Sequence, residues 1–282
     1  MSIASKALLV DTTFKKVGKS KQDKQEAMNI AAAHKSNPEM WKVTKNLWPE
    51  QAGSPLHKIR RLEVTTREWH RTHTLPWSDK GYRILRSSMF TRYREYMQGV
   101  KSDHKAHVKA FGDGYPDLLK ECQDQLGSKF NPDEYPSAAN IMGKFSFSWD
   151  YHSVPRIDDF RVELLDEDME SLRQQLEESE ARGIQNMQDD IIHRIAEPLH
   201  HIFTLLDEGK SFKVNSFNNL INALELVMDL DVTGSAELAQ ACFDIRSQVC
   251  FNPELIRENE EVANASREAA KKHLDNLDAI FG

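Results

Sequence analysis

Residues 166–207 read DEDMESLRQQLEESEARGIQNMQDDIIHRIAEPLHHIFTLLD. Met169, Leu172, Leu176, Ile184, Met187, Ile191, Ile195, Leu199, Ile202 and Leu206 recur at near-heptad steps, the spacing that lays one apolar seam along an α-helix. At a rise of about 1.5 Å per residue the segment would reach roughly 60 Å, longer than a compact domain is wide. Gly183 and Pro198 argue against one unbroken rod, because an interior proline removes a hydrogen bond and kinks the helix. The expectation is a helical bundle or coiled-coil-like arm, and a seam of this length is expected to self-associate into a homo-oligomer.

Downstream, helices are expected at about Ser216–Leu230 and Ser235–Cys250, with a last one begun by Asn252-Pro253, where Asn caps and Pro fills the first turn. Upstream, Phe145, Phe147, Trp149 and Tyr151 alternate with Ser146, Ser148, Asp150 and His152, a period of two that marks a half-buried strand. After Ser153-Val154-Pro155, the residues Phe160, Val162 and Leu164 alternate with Arg161 and Glu163 and make a hairpin partner. Leu8, Val10, Thr12 and Phe14 against Leu9, Asp11, Thr13 and Lys15 supply a third strand. Between these strands, helical patterns run over about 22–34, 56–73, 87–111 and 115–126, the last stopped by Gly127. The fold class is therefore α+β, mostly helical, with a small antiparallel sheet and a long helical arm. Two regions are expected: residues 1–164, basic α+β with the small sheet, and residues 165–282, an acidic helical bundle or arm.

Charge sharpens that division. Residues 1–110 carry 22 Lys+Arg against 10 Asp+Glu, a balance of +12, whereas 111–282 carry 15 against 34, a balance of −19. Such asymmetry points to an anion-binding half and a solvated or partner-facing half. Glutamates such as Glu177, Glu178, Glu180, Glu258, Glu260 and Glu261 read as solvated helix faces. No run approaches the ~18–20 apolar residues of a bilayer span. The start lacks the apolar core and cleavage site of a signal peptide, so a cytoplasmic protein with no membrane partner is expected. Cys122, Cys242 and Cys250 form no C-x-x-C pair and read as buried thiols.

Chemical motifs are weak. Val17-Gly18-Lys19-Ser20 imitates the end of a phosphate-binding loop, but its first glycine would fall on Thr13. Asp229 to Gly234 imitates half of a calcium loop, yet position twelve is Gln240 where a bidentate Glu is required. His70-x-x-His73 and His104-x-x-His107 have the i, i+3 spacing of shared metal ligands, without a carboxylate to complete either pair. Asp150 and His152 share a strand face without a nucleophile. No cofactor, metal or catalytic residue is therefore assigned, and the protein reads as non-enzymatic.

The basic half is more informative because its charges align. Lys101, Lys105 and Lys109 lie at i, i+4 and i+8 with Arg94 one heptad earlier, and Arg60, Arg67 and Arg71 are similarly spaced with Arg61 beside them. Trp48, Trp69, Trp77, Tyr82 and Tyr93 are interleaved. Lys and Arg neutralise phosphates and aromatic faces stack on unpaired bases, so these eight cations form the expected DNA- or RNA-binding face. Docking onto an acidic surface is the alternative.

Arg71-Thr72-His73-Thr74-Leu75-Pro76-Trp77 with Gly81 and Leu85, Tyr115-Pro116 with Leu126-Gly127, Tyr135-Pro136-Ser137, and the run from Phe145-Ser146-Phe147 through Val154-Pro155 to Phe160-Arg161-Val162 come in one order along the chain. In them the sequence resembles a family of uncharacterised tailed-phage and prophage proteins, over about residues 5–250. The resemblance implies a phage product in the bacterial host cytosol, with no active site to carry over. It also implies, as a possible partner, a ring ATPase of the chelatase-like AAA+ group. The leading expectation is an oligomeric phage protein binding nucleic acid through its basic half. The alternative is a protein-docking module, either an adaptor for an AAA+ ATPase or an inhibitor of a host defence protein.

Overall fold

Short-range chemistry sets most element ends. In the computed structural model, which describes residues 3–49, 51–78, 81–155, 166–209 and 212–280, the order is β1 (Ala7–Lys15), β2 (Ser20–Gln22), α1 (Lys24–Ala33), β3 (Thr44–Asn46), α2 (Pro55–Thr72), β4 (Leu75–Pro76), β5 (Arg83–Arg86), α3 (Phe90–Asp113), α4 (Tyr115–Leu126), α5 (Ala138–Met142), β6 (Ser146–Ser153), α6 (Asp166–Asp207), α7 (Val214–Leu230), α8 (Ala236–Val249), α9 (Pro253–Glu258) and α10 (Glu260–Asp275). α4 stops at Gly127, whose φ of 51° lies in the left-handed region that glycine enters without a Cβ penalty. Ser235, Asn252 and Asn259 each accept a backbone N–H at the start of α8, α9 and α10. The single last helix expected from Asn252-Pro253 is thus two, because Asn259 closes one and caps the next.

The described residues are 69% helical and include a four-stranded antiparallel sheet, in keeping with the α+β expectation. Strand order is β4-β5-β1-β6, with Leu8 opposite Leu85, Leu9 opposite Ile84, and Leu75 of β4 opposite Ile84 of β5. β6 alternates as its sequence requires: Phe147 is buried, Trp149 and Tyr151 are half-buried, and Ser146, Ser148, Asp150 and His152 are exposed. The expected hairpin partner at 160–164 lies outside the described residues. β4 and β5 escape sequence reading because two and four residues are too few to display a period. β1 departs from simple alternation, since Ala7, Leu9 and Val10 are all buried and both faces of its first half are covered.

α6 runs unbroken for 42 residues through Gly183 and Pro198, contrary to the expected interruption. Pro198 removes one helix hydrogen bond, a loss of about 3 kcal/mol. Around it Ile191, Ile195, Leu199 and Ile202 are each at most 2% exposed in the core shared with residues of α7 and α8. Four such side chains at about 1.5–3 kcal/mol each outweigh the proline. Gly183 is a seat rather than a break: a Cβ there would lie 2.9 Å from three ring carbons of Trp77. Because the seam from Met187 to Ile202 is buried within the chain, that stretch no longer argues for self-association.

The chain divides into two compact units, each assembled from separate stretches. The first comprises Met1–Asp11, Trp69–Arg94 and Asp150–Gly282, and the second Thr12–Glu68 and Glu95–Trp149. The boundary expected at 164/165 lies outside the described residues. Each unit has its own apolar cluster. In the first, the α6 seam packs with Phe217, Leu220, Leu224, Leu238, Ile245 and their neighbours, and in the second Trp48, Leu56, Ile59, Phe111, Tyr115 and Phe145 gather. Charge is redistributed accordingly. By sequence the first unit holds 19 Lys+Arg against 30 Asp+Glu (−11) and the second 18 against 14 (+4).

Gly183→Ala tests the Trp77 seat. Helix propensity alone would favour alanine by about 1 kcal/mol. The buried indole leaves no room for a Cβ, so urea denaturation should show a net loss of about 1–3 kcal/mol, the range of core overpacking.

Candidate nucleic-acid interface

α3 builds the site from its periodicity. Tyr93, Met97, Val100, His104 and Phe111 are buried along one side. Lys101, Lys105 and Lys109 fall roughly 80–160° around the helix from that stripe, and all three are exposed. Lys109 is tied to Asp113 at 2.6 Å, one turn on. Among the described residues neither Lys101 nor Lys105 has a carboxylate partner.

Beneath these lysines lies a layer of rings from two strands. Phe14 of β1 stacks on Phe147 of β6 with centroids 4.4 Å apart, and Phe147 lies 5.7 Å from Trp149. The Lys101 ammonium sits 5.5 Å from the Trp149 ring centroid, and the Arg67 guanidinium 5.6 Å from that of Phe14. Both distances are within cation–π range, so the layer is flanked by one cation from α2 and one from α3. Sequence reading missed Trp149 as part of this face because its strand alternation marks it only as inward-pointing.

The remaining expected site residues are placed differently. Arg67 also binds Glu63 at 3.1 Å, and Lys16 binds the same carboxylate at 2.6 Å, so Arg67 is a packing cation. Arg60 is half-buried and Arg61 exposed, both on α2 within the second unit. Arg71 and Arg94 belong to the first unit, where both are exposed; Arg94 lies 6.0 Å from the Phe90 ring centroid. The eight cations therefore do not act as one stripe, and Lys101, Lys105 and Arg61 are the members of the second unit that project without a carboxylate partner among the described residues.

Most of the interleaved aromatics are core. Trp48, Trp77 and Tyr93 are buried, and Trp69 stacks on His73 at 3.9 Å. Tyr82, more than a third exposed, edges His152. His70 accepts or donates at Nδ1 to the Tyr93 hydroxyl at 2.7 Å, and burial holds the Tyr93 phenol far above its ordinary range. His152 faces Asp11 at 3.4 Å. The calcium-like loop is a capped turn, because Asp231 accepts from Thr233 N–H, Thr233 Oγ1–H and Ser235 N–H at 2.6–2.9 Å. Gly18 belongs to a loop whose carbonyl accepts from Trp48 Nε1 at 2.9 Å, with strand β2 and not a helix following. The three cysteines are buried, and burial raises their thiols, Cys242 to about 11 and Cys250 to about 12, which removes the thiolate a nucleophile needs. Among the described residues no cluster of three His, Cys, Asp or Glu is arranged to hold a metal ion, and no helix is long and apolar enough to cross a membrane.

No family model, curated protein or solved structure matches the chain.

Burial holds three imidazoles below the ordinary histidine range: His73, His104, which is also beside His107, and His273. A histidine with a depressed folded-state value binds its proton more readily when unfolded, at about 6.5. Its stabilising contribution is complete above that pH and is lost as pH falls toward the folded value. Thermal midpoints should therefore drop as pH is lowered from about 6.5. His104→Phe, which preserves the ring beside Phe14 and Phe147, should flatten part of that dependence.

Proposed function

We propose that the protein is a non-enzymatic nucleic-acid-binding protein whose contact is the lysine face of α3, and not the whole basic half of the sequence. The observation that carries this reading is Lys101 held over the Trp149 ring with Lys105 one turn away, neither paired with a carboxylate among the described residues. Lysine ammonium groups neutralise phosphates and release counterions, and a half-buried indole beside them offers a face to a base. The second unit that carries them has a balance of only +4. The reading is therefore of modest, sequence-independent affinity through two or three phosphate contacts. The phage resemblance supplies a setting for it, a bacterial host cytosol, with a ring ATPase of the AAA+ group as a partner to be tested.

A salt series of fluorescence anisotropy with labelled single- and double-stranded DNA tests the proposal. Three lysines on phosphates give a log–log slope of about −2 to −3 at about −0.7 to −0.9 each. Charge reversal at Lys101, Lys105 and Lys109 should weaken every sequence alike and flatten that slope. The melting temperature should stay close to wild type, since exposed lysines contribute little to stability. Absence of binding at low salt, or a slope untouched by the reversal, overturns it.

A further inference from the structure

The first unit is acidic by sequence, yet at the end of α2 it gathers cations. The Nη2 atoms of Arg83 and Arg194 donate to the same two carbonyl oxygens, at 3.2 and 2.7 Å on Arg71 and at 2.8 and 3.1 Å on Thr74. Two like charges are thereby held within two hydrogen-bond lengths of each other, and both side chains are half-buried. Among the described residues one carboxylate contacts the pair, that of Asp190, 2.7 Å from Arg194 Nε. The negative end of the α2 dipole offsets about a further half charge. A positive surplus is left before the neighbouring side chains are counted.

Those neighbours are cations too. The side chain of Arg71, whose own carbonyl the pair binds, is exposed and has no carboxylate partner among the described residues. Arg92 of α3 is likewise exposed and unpartnered among them. It lies close enough to His73 to join burial and Arg194 in holding that imidazole below its ordinary range. Burial chiefly, with repulsion from Arg194 and Arg71, brings the Arg83 guanidinium down to about 10. Donors also remain open. Arg83 Nη1 and the Arg71 guanidinium make no hydrogen bond among the described residues, and Arg194 Nη1 uses one N–H on the Thr72 carbonyl at 2.7 Å. Unused guanidinium N–H groups beside uncompensated positive charge suit a phosphate group, whose oxygens accept two parallel bonds from one guanidinium.

We propose that Arg71, Arg83, Arg92 and Arg194 form a binding site for a phosphate-bearing anion at the C-terminal end of α2. Closing the helix and binding the anion are compatible, because the Arg71 and Thr74 carbonyls take Nη2 of Arg83 and leave its Nη1 to the ligand. The site lies within the first unit and does not depend on the lysine face of α3.

Isothermal titration calorimetry of the full-length protein with sodium pyrophosphate, at an ionic strength held constant with sodium chloride, tests the site. The proposal expects saturable binding, with affinity about tenfold or more weaker in the R71Q/R92Q double variant. Arg83 and Arg194 are left in place because they close α2. Neither substituted side chain has a partner among the described residues, so circular dichroism and thermal melting of the variant without pyrophosphate should overlay those of the wild type. Absence of saturable binding at constant ionic strength, or equal affinity in R71Q/R92Q, overturns the proposal. A second titration in the presence of an oligothymidylate separates the sources of the phosphate. Displacement of pyrophosphate supports the site as one for a nucleic-acid backbone, and retention of pyrophosphate supports it as one for a free phosphate compound.

Discussion

Two guanidinium groups close the C-terminal end of α2, and the first unit is organised around that closure. A helix ends with carbonyls that have no intrahelical donor and carry the negative end of its dipole. Here Arg194 of α6 donates to the carbonyls of Arg71 and Thr72, each at 2.7 Å, and to that of Thr74 at 3.1 Å. Arg83 of β5 donates to Thr74 Oγ1 at 2.7 Å, to the Thr74 carbonyl at 2.8 Å and to the Arg71 carbonyl at 3.2 Å. Asp190, one turn before Arg194, accepts from its Nε at 2.7 Å. Burial lowers the Arg83 guanidinium to about 10, which still leaves it charged at neutral pH. Within the first unit, the backbone from Arg71 to Thr74 thus ties β5 to the long helix, and Trp77 settles onto Gly183 beside it.

The same economy explains why a basic sequence yields so small a candidate interface. Lys21 and Lys45 both approach Glu134, Lys129 pairs with Asp23 and Glu26, and Lys16 and Arg67 share Glu63. Of these cations Arg67 is the one that spacing assigns to the basic face. Of the expected site cations in the second unit, Lys101, Lys105 and Arg61 project without a carboxylate partner among the described residues, and Lys101 is positioned by an aromatic ring.

The candidate site was partly legible in advance. The α3 lysines were marked by their i, i+4, i+8 spacing, because a helix converts spacing into a face without help from the rest of the chain. Arg67 has the same kind of spacing and is a packing cation, since Glu63 and the Phe14 ring claim it.

By itself the sequence determined the places of most helices and several of their ends, but not α5 or the division between α9 and α10. It also determined the facing of β6 and the α+β class, because each rests on contacts within a few residues, such as Gly127 beyond α4, Ser235 before α8 and the alternation from Phe145 to Tyr151. Only the tertiary structure decided that α6 continues through Pro198, that β4 and β5 pair beside β1, and which charges stay open to a ligand. Those outcomes depend on partners far along the chain, Lys45 with Glu134 and Arg194 with the end of α2 among them. Burial and Coulomb attraction act through space, and spacing along the sequence carries no record of them.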